Sequence, residues 1–516
     1  MLSGEAGNAD SSAESSQEEK AKSSAESSQK ARSRGRFIRH LSRARRISLS
    51  SQPPVPLPLE PASKLSPSIP ETHHSQAAAI FIANNIDILQ QILLYLPPKS
   101  LLRFQCVSKK WLSIISDPAF RRLHSWFYPT TVGTSSSASA ATEALFVFPW
   151  TYKKTPQELN FISLSDGYVN PMAKMVSHLN NFFDNGAIVD FHSCNGLLAL
   201  VFKLDDCDDH REFVVYNPTT CQHRLIPKFN GSKPNDPQLN DPHFNDPYYD
   251  PYFDDPHFHH FQITRRFEAL NIVFDPSKSD HFKLVYIWRD DYHGDTWDRC
   301  GFAVYASETG IWRESMDTLE MDPPDLPTTY FGNGVLWNGD LHWLNDFKYM
   351  ICFDLDKECL HRDMPPLPVE FSEWEFWYFG ECNGCLYVIE VNNPFGLLFD
   401  VFEMERDYSK WVLKYHIDLA PLRILYPSMV VEFVDRADRR QCTFGPFGML
   451  FLLEDEKEKK ASLVTAFPDK VMLYKINDAV VTEVAEVGPV DFGYGWKSHL
   501  NQWKDIYRHM ETLAYV

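Results

Sequence analysis

The apolar residues between Asn85 and Phe127 follow a helical spacing that predicts four short helices. The first helix carries apolar residues at i, i+1, i+4, i+5 and i+8, which align in one stripe. These positions are Ile88, Leu89, Ile92, Leu93 and Leu96. Pro97 and Pro98 end this helix, because proline lacks an amide donor and clashes with the preceding turn. Pro98 also suits the first turn of a second helix.

Two later segments carry start signals for further helices. The second helix has its apolar positions at Leu101, Leu102, Phe104 and Val107. Ser108 is expected to cap a third helix over 109–115, and Asp117-Pro118 to begin a fourth. The fourth helix repeats the apolar stripe at Phe120, Leu123 and Phe127. The stretch therefore predicts a small helical module.

A linker rich in Ser, Ala and Thr (130–142) separates this module from a region with a different pattern. From Leu145 to about Asn477 the chain has short alternating runs of β-branched and aromatic residues, broken by Asn-Gly, Asn-Pro and Asp-Gly. This pattern is typical of all-β proteins. An Asn-Gly pair precedes an apolar strand three times, at Asn195-Gly196, Asn338-Gly339 and Asn383-Gly384.

A second recurring pattern is a strand, a polar turn and another strand. Its aromatic anchors are Tyr216, Tyr305, Phe353, Phe402 and Tyr474, with spacings of 89, 48, 49 and 72 residues. A weaker first copy surrounds Phe161. A spacing near 48 matches one four-stranded propeller blade of the kelch type. We expect a β-propeller with six blades, or seven as the alternative; a stack of β-sandwiches also fits short strands.

Composition separates the first 75 residues from the rest of the chain. This segment is Ser, Ala, Glu, Lys, Arg and Pro with almost no aromatic residues, and such a composition predicts disorder. Residues 30–46 contain eight Lys or Arg and no acid. Because the whole chain has a net charge of −19, the remainder is near −27. The basic run is either a nuclear-import signal or a solvated basic tail.

The same charge and the hydropathy exclude several functions and compartments. A field near −27 repels phosphates, so no nucleic-acid partner is expected for the folded part. The sequence has no run of 18 apolar residues, so no membrane span is expected, and the N-terminus lacks the apolar h-region of a secretory signal. The ten cysteines should therefore be reduced thiols, in the nucleus or the cytoplasm or both.

Candidate chemistry is sparse. Residues 235–261 repeat Asp-Pro five times among histidines, which suggests either a metal site or, as the favoured reading, an extended acidic loop. Its histidines are His243, His257, His259 and His260. Cys382 and Cys385 have CxxC spacing without the second pair that a zinc site needs, so ordinary buried thiols are expected. No phosphate loop, HExxH or GxSxG motif is present. We expect no catalytic residue, cofactor or metal.

The run LPPKSLLRFQCVSKKWLSIISDPAF (96–120) resembles an F-box, in the form found at the start of the large plant F-box-associated families. It departs from that form where Asn84-Asn85 replaces the Leu-Pro pair that often opens the motif. The stretches CNGLLAL, VVYNPTT, NGDLHWL and CFDLDKE are similar to the F-box-associated domain, which is described as kelch-like. A fainter similarity lies at 510–513.

This resemblance implies a multidomain α plus all-β protein. The expected parts are a disordered tail (1–78), an F-box (79–128), a linker (129–143) and a propeller-like domain (144–516) with an insertion at about 228–262. The implied function is a non-catalytic substrate-recognition subunit of an SCF-type ubiquitin ligase, whose F-box binds a Skp-type adaptor and, through it, cullin. The alternatives are a scaffold protein that binds the adaptor outside any ligase and, more remotely, a propeller enzyme with an appended F-box.

The same resemblance implies which residues contact the adaptor. They are Ile88, Leu89, Ile92, Leu93, Leu96, Pro97, Lys99, Ser100, Leu101, Leu102, Val107 and Trp111. Residues 84–127 hold six basic and two acidic side chains, which would favour association with an acidic adaptor. The target protein is expected on the propeller, on loops that the sequence does not identify.

Overall fold

The protein is described by a computed structural model. It describes residues 81–82, 85–131, 143–147, 160–163, 169–171, 187–204, 211–231, 264–291, 299–320, 331–344, 349–367, 376–393, 397–427, 431–434, 441–444, 448–455, 460–467, 470–486 and 506–516. The N-terminal tail with its basic run, Asn84, residues 132–142 of the linker and the Asp-Pro insertion lie outside the described residues.

Four helices form the predicted module, and their start signals are confirmed. They are α1 (Ile86–Leu94), α2 (Pro98–Phe104), α3 (Lys109–Ile115) and α4 (Pro118–Thr131). The Ile88 amide donates to Asn85 Oδ1 (3.2 Å), so Asn85 caps α1. The Trp111 amide donates to Ser108 Oγ (3.2 Å), and the Phe120 amide donates to Asp117 Oδ1 (3.0 Å). Each side chain satisfies an amide that the helix itself leaves without a partner.

The rest of the described chain is almost entirely antiparallel β-structure. Five sheets each contain four consecutive strands. The first two sheets are β4 (Ala187–Cys194), β5 (Leu197–Lys203), β6 (Arg211–Asn217) and β7 (Gln222–Ile226), and then β8 (Thr264–Val273), β9 (Lys283–Asp291), β10 (Arg299–Ala306) and β11 (Ile311–Glu320). The third and fourth sheets are β12 (Val335–Trp337), β13 (Asp340–Leu344), β14 (Met350–Asp354) and β15 (Cys359–His361), and then β16 (Phe376–Cys382), β17 (Cys385–Asn393), β18 (Leu398–Met404) and β19 (Trp411–Asp418). The fifth sheet is β22 (Gly448–Asp455), β23 (Lys460–Phe467), β24 (Lys470–Lys475) and β25 (Val480–Glu486).

A further four-stranded sheet joins the two ends of this β-region. Its order is β26 (Ile506–Met510), β1 (Glu143–Val147), β2 (Asn160–Ser163) and β3 (Val169–Pro171). β20 (Val431–Val434) and β21 (Gln441–Phe444) form a two-stranded ribbon, and the short helix α5 (Leu422–Leu425) follows β19.

The propeller architecture is confirmed, whereas the predicted count of six or seven blades needs correction. Five blades are built from four consecutive strands each. The remaining four-stranded sheet is a composite, because its first strand, β26, comes from the far end of the chain and pairs with β1. The weaker copy at Phe161 belongs to this sheet, but repeat spacing cannot show that the first strand of the sheet comes from the far end of the chain.

The aromatic anchors of the repeat occupy equivalent places in the sheets. Each lies on the third strand of its sheet: Phe161 on β2, Tyr216 on β6, Tyr305 on β10, Phe353 on β14, Phe402 on β18 and Tyr474 on β24. Four buried apolar clusters lie between successive consecutive-strand sheets, from the pair β4–β7 and β8–β11 to the pair β16–β19 and β22–β25. The core is therefore a series of inter-blade layers.

The three Asn-Gly pairs form the hairpin turns between the first and second strands of their blades. Asn195, Asn338 and Asn383 have φ between 45° and 53°, and the following glycines have φ between 77° and 99°. Positive φ at both central residues suits the two-residue hairpin turn that matches strand twist. Each asparagine also donates its side-chain amide to a carbonyl of the next blade. The acceptors are Phe274 O (2.7 Å), Arg406 O (3.0 Å) and Glu454 O (2.7 Å).

None of the helices in these described segments combines the length and the apolar character that crossing a membrane requires.

Replacing Asn195 should separate its two roles. Asn195→Ala loses the bond to Phe274 O and forces alanine to a positive φ, so we expect a loss of about 1–3 kcal/mol in the free energy of unfolding. Asn195→Gly loses the bond alone and should cost less, since glycine adopts this φ readily. Urea unfolding followed by tryptophan fluorescence measures both variants. Equal stabilities for them would contradict the role assigned to the turn conformation.

Candidate functional site

The inner face of the helical module forms a small apolar core. Its fully buried members are Leu89, Leu93, Leu94, Leu101, Ile114, Ile115 and Phe120. One further buried member, Leu513, comes from the opposite end of the chain and is 0% exposed. A module of this size buries little apolar surface by itself. Leu513 completes its core.

Leu513 belongs to the C-terminal segment, residues 511–516, which follows β26. Arg121 Nη1 donates to Leu513 O (3.4 Å), and its guanidinium lies 4.1 Å from the Tyr515 ring centroid. The Tyr515 hydroxyl donates to Ser116 O (2.5 Å). Thr512 Oγ1 donates to Ser125 Oγ (2.8 Å). Polar bonds thus surround the Leu513 contact on the side of the module.

The opposite side of the C-terminal segment is bound to the blade β4–β7. Asn217 Nδ2 donates to Thr512 O (3.2 Å) and to Ala514 O (2.8 Å), and the Thr512 amide donates to Thr219 Oγ1 (3.3 Å). Ala514 packs in the apolar cluster between this blade and the next. A Cβ on Gly196 would lie 2.4 Å from Met510 O, so only glycine permits this approach. The segment therefore joins the module to the propeller.

Two charged groups of the module also bind this segment. Lys99 Nζ lies 2.5 Å from Glu511 Oε1 in a salt bridge whose lysine side chain is 60% exposed. Arg121 is buried, and desolvation lowers the pKa of its guanidinium; Arg121 Nε donates to Ile115 O (3.0 Å). The exposed salt bridge contributes little to stability, whereas loss of the buried bonds would leave unsatisfied polar groups.

A buried histidine fixes the orientation of α1 against α4. His124 Nε2 lies 2.9 Å from Leu96 O, and because a carbonyl accepts, this nitrogen carries the proton. The ring stacks on Tyr128 with centroids 5.2 Å apart. Among the described residues, His124 Nδ1 has no hydrogen-bond partner. Desolvation lowers the pKa of His124 from 6.5 to about 4, so the ring is neutral at pH 7.

Outside this core the module exposes large apolar side chains, here together called the outer apolar surface. Its members are Ile86, Ile92, Tyr95, Val107, Leu112, Leu123 and Trp126, each between 42% and 59% exposed. Scattered exposed apolar residues are ordinary, but seven within about forty residues form a concentration that marks interaction sites. This surface is the candidate functional site.

The predicted adaptor-binding residues divide into three groups in the structure. Leu89, Leu93 and Leu101 are buried in the module core. Ile88, Leu96, Ser100, Leu102 and Trp111 are half-buried. Ile92, Pro97, Lys99 and Val107 are exposed, although Lys99 is bound to Glu511. The first group therefore forms part of the module core, and the last group lies at the surface. That any of these residues contacts an adaptor stays a prediction.

Sequence reasoning missed several members of this site. Tyr95, Leu112 and Trp126 escaped because each stands off the apolar stripe that defines its helix, and a large apolar residue off that stripe is itself the available signal. Leu123 was placed in a stripe with Phe120, yet Phe120 is buried and Leu123 is 43% exposed. Leu513 carried no local signal beyond the faint similarity at 510–513.

The CxxC pair does not have the character of a redox site. Cys382 ends β16 and Cys385 begins β17, so the pair flanks a hairpin turn. Burial raises the pKa of Cys382 to about 12 and that of Cys385 to about 11. A nucleophilic cysteine needs a lowered pKa, since the thiolate is the reactive form.

Comparison with known families assigns both parts of the chain. Residues 85–123 match the F-box domain, and residues 153–500 match the F-box associated beta propeller domain. The second match covers more than half of the chain, so the chain belongs to the family of proteins with an F-box associated beta propeller domain. It is an F-box protein with a propeller domain.

Among its relatives, F-box protein At5g07610 of Arabidopsis thaliana is 27% identical over 463 residues, which cover 86% of this chain and 93% of the relative. F-box protein At5g10340 of the same plant is 30% identical over 148 residues, or 28% of this chain and 31% of the relative. F-box/kelch-repeat protein At3g23880 of Arabidopsis thaliana is 41% identical over 54 residues, which cover 10% of this chain and 15% of the relative.

Solved structures with partial similarity include an oligogalacturonate lyase in complex with manganese and the beta-propeller domain of the Trilobed protease from Pyrococcus furiosus. The lyase has a TM-score of 0.34 with 8% identity, covering 70% of this chain and 78% of its own. The protease domain has a TM-score of 0.26 with 12% identity, covering 58% and 86%.

Truncating Leu513 should destabilise the protein strongly. Leu513→Ala opens a cavity in the module core, and a Leu→Ala change at a fully buried site costs about 2–5 kcal/mol. The matched control is Leu425→Ala, whose side chain is 67% exposed and whose loss should cost less than about 0.5 kcal/mol. Urea unfolding of the full chain measures both. If Leu513→Ala is as stable as the control, the segment does not complete the core.

Acidification should weaken the module through His124. The pKa of His124 is about 4 in the fold against 6.5 unfolded, so the unfolded chain binds more protons between these values. Stability therefore falls as pH drops from about 6.5 to 4, by on the order of 3 kcal/mol for this group. His124→Gln should flatten the dependence of the unfolding free energy on pH. An unchanged slope in His124→Gln would contradict this assignment.

Proposed function

We propose that this protein is a substrate-recognition subunit of an SCF-type ubiquitin ligase. In this proposal the outer apolar surface of the F-box docks on a Skp-type adaptor, the adaptor links the chain to cullin, and the propeller holds a target protein. Family membership supports it, because it supplies the F-box and the propeller that such subunits combine.

The observation that carries the proposal is the division of the module into two faces. The inner face is occupied within the same chain by Leu513, Thr512 and Tyr515. The outer apolar surface is exposed in this single chain. Because these side chains are about half exposed, a partner of the F-box that covered them would bury apolar area, and that burial would favour binding.

The chain contributes proximity rather than bond-breaking chemistry in this proposal. A subunit that holds a target beside a transfer enzyme converts an encounter between two molecules into a step within one assembly. That effect requires a fixed geometry between the module and the propeller. The bonds from Arg121, Ser125 and Asn217 to the C-terminal segment supply such a connection.

Charge and location complete the proposal. Lys109, Lys110 and Arg122 lie on helices of the module, and their positive charge would favour association with an acidic adaptor by raising its rate. We place the protein in the nucleus, the cytoplasm or both. The basic run at 30–46 is the proposed import signal.

The deciding experiment compares charged substitutions on two exposed surfaces. The double variant Ile92→Asp/Val107→Asp puts carboxylates on the outer apolar surface, where both side chains are exposed, so the fold should persist. We expect its affinity for a purified Skp-type adaptor to fall at least tenfold. The matched control, Ile424→Asp, changes a side chain that is 84% exposed on the propeller and should bind like wild type. Biolayer interferometry measures the affinities.

Two outcomes would reject the proposal or reduce it. Equal affinity of the double variant and the control would remove the outer apolar surface as the docking site. Capture of the adaptor without cullin from cells, under blocked proteolysis, would favour the alternative of a scaffold protein outside a ligase. Capture of both, lost together in the double variant, is the expected result.

A further inference from the structure

The blade β12–β15 brings a carboxylate, a thiol and an imidazole together on one face. Cys352 on β14 lies opposite His361 on β15, and it lies opposite His342 on β13. Asp340 stands two residues before His342 and therefore points to the same face of β13. One ligand atom each from Asp340, Cys352 and His361 lies within 4.8 Å of the others.

We propose that Asp340, Cys352 and His361 bind one Zn²⁺ ion. Zinc bonds to sulfur, nitrogen and oxygen at about 2.0–2.3 Å, which puts tetrahedral ligand atoms roughly 3.3–3.8 Å apart. Rotation of the three side chains, with the strands unchanged, would bring the ligand atoms from within 4.8 Å of one another to this spacing. The mixed ligand set selects the metal, because magnesium and calcium prefer oxygen ligands alone while thiolate and imidazole suit zinc.

The surroundings of the three ligands fit a cation. His361 Nε2 lies 3.8 Å from Asp340 Oδ2 and 3.5 Å from Asp354 Oδ2, so two carboxylates converge on the position beside the imidazole. Asp354 itself is held in its turn, since its Oδ1 accepts the amides of Asp356 and Lys357. Its Oδ2 also accepts from Lys357 Nζ (2.8 Å), so the charge that Asp354 adds beside the three ligands is partly balanced by this ammonium.

His342 shares the same face but is excluded as a ligand. Its Nδ1 lies 3.3 Å from Val335 O, and its Nε2 lies 3.0 Å from the Tyr408 hydroxyl. Both ring nitrogens are therefore engaged with the protein. The site has three protein ligands, and water takes the fourth position, as in zinc sites that keep one place open.

Burial supports a site that an ion can enter. The Cys352 side chain is fully buried, while the Asp340 and His361 side chains are 22% and 38% exposed to solvent. β15 has three residues and is the last strand of its sheet. An ion shared by β13, β14 and β15 would cross-link this short edge strand to the sheet, so zinc should stabilise the blade.

Cobalt titration of the purified full chain, after removal of metals by a chelator, tests the proposal. Co²⁺ replaces Zn²⁺ in such sites, and a bond to thiolate gives a charge-transfer absorption in the near ultraviolet. This signal separates the site from the histidines of the Asp-Pro insertion, because 235–261 contains no cysteine. We expect the absorption to saturate near one equivalent in wild type and to be displaced by Zn²⁺.

Variants assign the signal to its ligands. Cys352→Ser should abolish the absorption, and Asp340→Asn or His361→Asn should weaken cobalt binding at least tenfold. Two controls match the chemistry elsewhere. Cys300→Ser changes an equally buried cysteine, and His416→Asn changes a histidine that lies 2.5 Å from Asp400 across neighbouring strands without a cysteine. Both controls should bind cobalt like wild type.

The result that overturns the proposal is equally definite. Absence of the absorption in wild type, or its full retention in Cys352→Ser, would show that His361 forms only an ion pair with its aspartates. If Cys352→Ser does not fold, the two half-exposed variants decide, and wild-type affinity in both would reject the site. The readout does not involve the adaptor, so it stands or falls apart from the ligase proposal.

Discussion

The insertion of Leu513 into the core of the helical module joins the module to the propeller. It places Leu513 among Leu89, Leu93 and Ile115 of the helical module, about 400 residues earlier in the sequence. The residues on either side of Leu513, Thr512 and Ala514, are bound to Asn217 of the propeller. An extended chain alternates its side chains between two faces, so six residues can serve two domains at once. The segment acts as a shared element of both cores.

This arrangement explains why the two faces of the module differ so sharply. The inner face gains a permanent partner within the chain, which removes it from any intermolecular role. The outer apolar surface, with Ile92 and Val107, keeps its side chains about half exposed within this chain. Exposed apolar side chains in this number are a liability for a lone protein, so their presence is best explained by a partner that covers them. The fold itself thus indicates which side of the module is available.

Local features were predictable from the sequence, and distant contacts were not. The caps Asn85, Ser108 and Asp117 and the Asn-Gly turns depend on neighbours within three residues, so their residue types identify them. The aromatic anchors were found because blades repeat. The blade number was too high because the copy at Phe161 counted as a blade, whereas its sheet is a composite in which β1 pairs with β26, more than 350 residues away in the sequence. The contact of Leu513 was not predicted for the same reason, since its partners are distant in the sequence. The cluster of Asp340, Cys352 and His361 was not predicted because it depends on the register of three strands.

The topology also constrains how the protein folds. The composite sheet lacks its first strand until residues 506–510 are available, and the module core lacks Leu513 until three residues later. Contacts between the two ends of a long chain carry a large loop-closure cost and form late. The five blades of consecutive strands rely on shorter-range pairings and can form before the ends meet. Completion of the composite sheet and attachment of the module are coupled, because one continuous stretch, β26 and the segment after it, takes part in both. A chain that has lost this stretch would therefore lose the fixed relation between its partner-binding module and its propeller, even with every blade of consecutive strands intact.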